Sequence, residues 1–323
     1  MSKPVSNKTL AQIARVIHGS SALVITAGAG LGVDSGLPDF RGPQGFHAAY
    51  PPIAKLGLSF PDVSTPRWFA QDPAFAWGFF GHRLGLYRAA SPHAGYGILL
   101  EWARRRPDGF FVFTSNVDGH FRRAGFLQER IMERHGDINF LQCADPARCS
   151  GRGDVDELIW PADDLEVEVD EGTFRASRPL PACRHCGGLA RPNVLMFDDY
   201  QWLEDRTAAQ DERYRAFASR LRRSGKPFAV IEVGAGESVP TVRWESERLV
   251  DGTRGGTLIR INPRDHGVPI AGDHHEVPLG GLEALTALER HMEGLAGTGR
   301  GEDVGQARGD LEGEARALRD DVI

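Results

Sequence analysis

The chain has 323 residues, 41% hydrophobic and 25% charged, which is enough for a large core and a smaller module. A net charge of -6 gives no overall basic field, so neither nucleic acid nor an anionic membrane is expected as a direct partner. The polar stretch Met1 to Thr9 lacks the apolar core of a secretion signal, and no run of about 18 apolar residues follows, so a cytoplasmic protein is expected.

Leu10, Ile13, Ala14 and Ile17 recur at helical spacing, and Gly19 stops them just before the apolar run Ala22 to Thr26. That pattern predicts helix, turn and buried strand. Gly28, Gly30 and Gly32 come next, where a backbone can approach a phosphate closely. Asp72-Pro73 and Ser91-Pro92 each predict a helix start, a capping side chain followed by proline in the first turn. Phe110 to Thr114, Phe228 to Val233 and Leu258 to Ile261 are short apolar runs that end in Ser-Asn, Gly-Ala-Gly and Asn-Pro, the punctuation of parallel strands at their carboxyl ends. Tyr214, Phe217 and Leu221, stopped by Gly225, form one of the helical patterns between them. The alternation predicts an α/β fold with a doubly wound, Rossmann-like parallel sheet whose binding crevice lies at the carboxyl ends of the strands.

From about Cys143 to Arg191 the pattern breaks: all four cysteines fall there, with an acidic run around Asp163 to Glu171. Cys143 and Cys149 are spaced Cys-x5-Cys, and Cys183 and Cys186 are spaced Cys-x2-Cys, two pairs that suit one tetrahedral zinc ion better than a disulfide lattice. Four thiolates would close the coordination shell and make the metal structural. The expected organisation is a discontinuous Rossmann-like domain over 10-42, 91-140 and 192-295, a helical insertion over 43-90, a zinc-binding module over 141-191, and a glycine-rich, charged tail over 296-323 that cannot order itself alone.

The glycine cluster is not that of an ordinary dehydrogenase. The third glycine of that fingerprint would fall at Val33, and no acidic residue lies about 20 positions further on to hold a ribose. Instead, Gly28-Ala-Gly30 followed by Ser35-Gly-Leu-Pro-Asp-Phe-Arg41 resembles the signature of the sirtuin family. Thr114-Ser-Asn-Val-Asp-Gly-His120 resembles a second block of that family, and His135-Gly136 stands where the family places its catalytic histidine. The resemblance continues through Arg191 to Phe197, Gly234-Ala-Gly236 and Ile261-Asn262, and covers roughly Ala11 to Leu295.

What the resemblance implies is an NAD-consuming lysine deacylase carrying one structural zinc and acting on an acylated protein. Gly28, Ala29, Gly30, Ser115, Gly234, Ala235, Gly236 and Asn262 would hold NAD. Asp118 would bind the carboxamide and Asn116 the ribose side, while Asp39, Phe40 and Arg41 would belong to a loop shielding the reactive carbon. His135, with Asn116, would be catalytic, taking a proton from a ribose hydroxyl at neutral pH. Val194, Met196 and Phe197 would contact substrate, as would Phe80 and Arg83, which align with a Tyr-x-x-Arg pair that binds acidic acyl chains in some sirtuins. Three positions depart from the family pattern: Ser115 replaces a glutamine, Asp198-Asp199 replaces a glycine and an acid, and Gly234-Ala-Gly-Glu-Ser replaces Gly-Thr-Ser. They leave open an alternative on the same fold, ADP-ribosyl transfer to protein or NAD hydrolysis. A purely nucleotide-sensing module is disfavoured because Asn116, Asp118 and His135 are kept together. Acyl preference, protein target and oligomeric state stay open.

Overall fold

The computed structural model describes residues 5-38, 42-149, 158-170 and 172-298. Asp39, Phe40, Arg41 and the tail from 299 lie outside the described residues.

The main sheet is parallel, with six strands: β1 (Ala22–Ala27), β2 (Phe110–Thr114), β3 (Ile131–Glu133), and, later in the chain, Phe228–Val233, Gly256–Ile261 and His275–Val277. Between these two groups come β4 (Gly136–Cys143), β5 (Ile159–Pro161), β6 (Val169–Asp170), β7 (Arg175–Ala176) and β8 (Ala190–Val194), so the last three sheet strands are β9, β10 and β11. The spatial order is β11-β10-β9-β1-β2-β3. Every residue of β1 and β9 is buried, which is why both read as unbroken apolar runs rather than alternating ones. In register, Leu23 of β1 faces Phe110 on one side and Ala229 on the other.

Helices cover both faces. Helix Asn7–Gly19 packs Leu10, Ile13, Ala14 and Ile17 against one face, together with helices Ala94–Arg104 and Gly281–Thr298. Helices Asp205–Ser224 and Thr241–Val250 cover the other through Tyr214, Phe217, Leu221, Val242 and Leu249. The first helix starts as its sequence dictates, with Ser6 accepting the amide of Thr9. Helix Pro73–Ala89 does the same, with Asp72 capping Phe75 and proline at the first position. The Ser91-Pro92 expectation is corrected: that helix begins at Ala94, and His93 is its cap, its Nδ1 accepting the amide of Gly95. His93 is held there by tertiary contact, since Nε2 bonds the Leu31 carbonyl at 2.8 Å and its amide donates to Ser35.

The second layer is a separate antiparallel sheet in the order β5-β4-β8. With helix Pro73–Ala89 it encloses a third, aromatic core that includes Trp77, Phe79, Phe80, Tyr50 and Phe174. The Trp77 indole donates to the Ala190 carbonyl at 2.9 Å, pinning the helix to β8. This layer lies beyond the end of the main sheet where β1, β2 and β9 release their loops, because β4 follows β3 after only Arg134 and His135.

Candidate functional site

Strand β1 is the switch point of the sheet: the chain leaves it toward β2 and β3 on one side and returns to β9, β10 and β11 on the other. Loops from adjacent strands diverge there and leave a crevice. A cavity of about 560 Å3 fills it, walled by Gly28, Ala29, Ser115, Asn116, Asp118, His135, Gly234, Ala235 and Gly236 from four loops.

The two glycine loops touch backbone to backbone. Gly234 has φ +68, and a Cβ on it would lie 2.3 Å from the Leu31 nitrogen; a Cβ on Gly28 would lie 2.7 Å from the Ala235 Cα. The amides of Gly28 and Gly30 bond the carbonyls of Val233 and Gly234, both at 3.0 Å. No side chain fits at this contact, so the residue type is dictated by packing as well as by ligand access.

Thr114 and Asn116 tie the β2 loop to β1. The Thr114 hydroxyl donates to the Ala27 carbonyl at 2.9 Å and accepts the Asn116 amide at 3.0 Å, while Asn116 Nδ2 donates to the Gly28 carbonyl at 3.0 Å. Asp118 is buried, and its Oδ1 accepts the His120 amide at 2.8 Å. Burial, with the Asp137 carboxylate adding to it, pushes the Asp118 carboxyl up to about 6, against the amide of His120 and the charges of Arg83 and Arg123. At neutral pH it is mainly the carboxylate, an acceptor facing an enclosed space.

His135 stands on the cavity wall between β3 and β4. Its carbonyl accepts the Leu195 amide at 2.9 Å, and Arg134 donates its amide to Thr114 at 2.8 Å, so the turn is held from both sides. Burial, reinforced by Arg134, pulls the imidazole down to about 4, which leaves it neutral and able to accept a proton at pH 7.

Phe60, Arg83, Tyr87, Val194, Met196 and Phe197 also line the cavity. Arg83 is buried, donates from Nε and Nη2 to the Tyr87 hydroxyl at 3.2 and 2.8 Å, and lies 5.3 Å from the Phe79 ring centre. The pairing expected between Phe80 and Arg83 is corrected in one respect: Phe80 is fully buried against Phe69 and Phe79 and is not among the cavity-lining residues. Tyr87, four residues after Arg83 on the same helical face, takes that place. Its Arg-x3-Tyr spacing was the available signal. Gly30 and Asn262 also stand behind the wall. Asn262 donates to the Ala235 carbonyl at 2.7 Å and accepts the amides of Arg264 and Asp265, so it shapes the loop that lines the cavity.

Asp199, beside Phe197, is engaged with Arg191. The pair is fully buried, with contacts of 2.8 and 3.0 Å, and Asp199 also accepts the amides of Met196 and Gln201. Asp198 instead is exposed, with φ +55, the left-handed region that favours glycine.

Away from the cavity, Cys143, Cys149, Cys183 and Cys186 converge, all four sulfurs lying within 4.8 Å of one another. The Cys143–Cys186 and Cys149–Cys183 separations are 3.7 and 3.6 Å. Metal–sulfur bonds of about 2.3 Å in a tetrahedron place sulfurs about 3.8 Å apart, so the donor set fits zinc.

The Sir2 family model matches residues 28–213. A Deinococcus radiodurans protein named NAD-dependent protein deacylase is 31% identical over 257 residues, 79% of this chain and 88% of its own. A Fusarium oxysporum f. sp. cubense protein named probable bifunctional ADP-ribose hydrolase/ADP-ribosyltransferase is 29% identical over 301 residues, 90% of this chain; the chain spans only 45% of that relative's length. Among solved structures, a Sir2 homologue in complex with NAD superposes with a TM-score of 0.61 at 23% identity, covering 88% of this chain and 94% of the other, a likeness of fold. With the family model spanning more than half of its residues, the chain belongs to the Sir2, or sirtuin, family.

Proposed function

We propose that the protein is an NAD-dependent protein lysine deacylase. The observation that carries this is the convergence of Asn116, Asp118 and His135 on one cavity at the switch point of the sheet, whose wall also includes the glycine loops and the apolar side chains of Val194, Met196 and Phe197. Deacylase is also the name borne by the Deinococcus relative.

On this reading, the two glycine loops take the phosphates and ribose of NAD through the backbone of Ala29, Ala235 and Gly236, which line the cavity, while the Gly28 and Gly30 amides hold the loops together, and Asp118 accepts a hydrogen bond from the carboxamide. Asn116 holds the ribose side. NAD supplies the electrophilic ribose carbon when bound. His135, neutral in its buried setting, removes a proton from a ribose hydroxyl so that the acyl group can pass from the lysine nitrogen to ADP-ribose. Val194, Met196, Phe197 and Phe60 enclose the acyl-lysine stem and exclude water. The roles of Asp39, Phe40 and Arg41 as a shielding loop belong to the same proposal. Zinc held by the four cysteines would brace the small sheet, with no part in the reaction. A cytoplasmic setting completes it, consistent with four unpaired thiols.

Two further readings have an observation each. Arg83 and Tyr87 in the cavity lining favour a carboxylated acyl chain such as succinyl. The Fusarium relative's name favours ADP-ribosyl transfer. A single incubation with NAD and acetyl-, succinyl- and longer-acyl-lysine peptides separates them. Deacylated peptide in step with O-acyl-ADP-ribose supports deacylation, and ADP-ribosylated protein or free ADP-ribose with intact peptide supports the alternative.

A further inference from the structure

A second depression, of about 690 Å3, opens on the other side of Phe197 and is lined by Asp62, Pro66, Arg67, Asp198 and Tyr200, among others. Phe197 walls both it and the His135 cavity, and its ring stands edge-on to Phe60 at 5.9 Å. A polypeptide whose lysine side chain enters the cavity therefore has its neighbouring residues within reach of this groove, since an extended chain advances about 3.3 to 3.6 Å per residue.

The groove has a definite chemistry. Tyr200 is 95% exposed and Phe197 37%, two aromatic side chains at one lip. Aromatic residues of this kind are the usual anchors of recognition surfaces. Asp198 is exposed, and Asp62 is held below the ordinary carboxylate range by the hydroxyl and amide of Ser59, so its charge persists. Arg67, the one cation in the lining among the described residues, is spent on Asp62: it donates to the Asp62 carbonyl at 3.4 Å, its charge helps hold the Asp62 carboxyl down, and it lies 5.0 Å over the Trp68 ring. Asp199 is withdrawn by Arg191. What faces outward is the Asp198 carboxylate with the open face of Tyr200 two residues on, a match for a guanidinium or ammonium through an ion pair and a cation–π contact.

We propose that this groove selects acyl-lysine segments carrying an arginine or lysine within two residues of the modified lysine, with Asp198 and Tyr200 as the specificity-determining side chains. The proposal rests on the deacylase reading for the identity of the residue anchored in the cavity.

Asp198 gives a clean test, because its left-handed backbone suits glycine: Asp198→Gly removes the carboxylate and leaves the turn in a conformation that glycine adopts freely. Two labelled acetyl-lysine peptides, identical except for arginine or glutamate at the flanking positions, are titrated into the full-length protein by fluorescence anisotropy, alongside deacylation assays. The wild type should bind the arginine peptide roughly fivefold or more tightly than the glutamate peptide, with the ratio shrinking as salt rises. Asp198→Gly and Tyr200→Ala should each reduce that ratio at an unchanged or higher melting temperature. Equal binding of the two peptides, no measurable binding of either, or an unaltered ratio in both variants overturns the proposal. Selective binding of the arginine peptide with no deacylation of it leaves the groove assignment standing and removes the deacylase reading instead.

Discussion

Asp118 and His135 share one cavity, yet burial moves them in opposite directions relative to neutrality. His135, pulled down to about 4, is already neutral throughout the physiological range, so the acid side of the rate profile belongs to Asp118. As pH falls through about 6, Asp118 gains a proton, loses its charge and exchanges one acceptor oxygen for an O–H donor, and substrate capture should drop. Asp118→Asn should abolish that inflection in kcat/KM and lower the plateau, and an inflection that persists near 6 would assign it elsewhere. His135→Ala should reduce deacylation by about 10² to 10⁴-fold, the usual range for a positioned base. Stability has its own pH signature. His120 is fully buried and pulled down to about 4 by burial, with Arg123 adding to it, so between pH 6.5 and 4 the unfolded chain takes up a proton that the folded chain refuses, and stability falls with pH. Asp118 works against this between about 6 and 3.8, since the folded chain there holds the extra proton. His120→Leu should reduce the loss over that window in urea titrations, with His135, pulled down to the same value, keeping its share.

At the scale of elements, the turn after β8 is fixed by the buried Arg191–Asp199 pair. Asp199→Ala leaves a guanidinium uncompensated inside the protein and should cost about 3 to 5 kcal/mol, read from denaturant unfolding. Its neighbour Asp198, exposed and at φ +55, should tolerate replacement by glycine, so the two adjacent aspartates separate by burial and by backbone conformation. The same contrast explains what could be read in advance. The strands β1 and β9, buried throughout, the strands β2 and β10, buried over most of their length, and the helix capped by Asp72 were legible because local pattern and tertiary demand agree there. The three-residue edge strands β3 and β11 are too short to carry a period, and the helix expected at Ser91 starts at Ala94 because His93 is recruited by Leu31 and Ser35 from sixty residues away in sequence. Phe80 was placed at the acyl pocket by alignment, but the helix turns it into the aromatic core and presents Tyr87 beside Arg83. Arg83→Met should therefore lower the succinyl-to-acetyl rate ratio if the cavity lining reads carboxylates; an unchanged ratio would leave Arg83 as a packing residue.

At the scale of the molecule, two layers meet over one site. The doubly wound sheet supplies the glycine loops, Asn116 and Asp118, while the small sheet and the Pro73–Ala89 helix supply Arg83, Tyr87, Val194 and Met196. The glycine and histidine blocks announced the first half because each is a contiguous motif. The groove beyond Phe197 did not show in the sequence, since it joins residues 61-70 to residues 197-201 across the fold. A zinc ion held by the four cysteines would staple the second layer, so one zinc per chain is expected by elemental analysis, with Cys183→Ser losing the metal and melting at lower temperature. The decisive measurement is mass spectrometry of an incubation of the full chain with NAD and acyl-lysine peptides, following peptide, nicotinamide and ribose products together. Deacylated lysine formed in equal amount with nicotinamide and O-acyl-ADP-ribose is expected; nicotinamide release with the peptides intact would contradict deacylation and point to hydrolysis or ADP-ribosyl transfer.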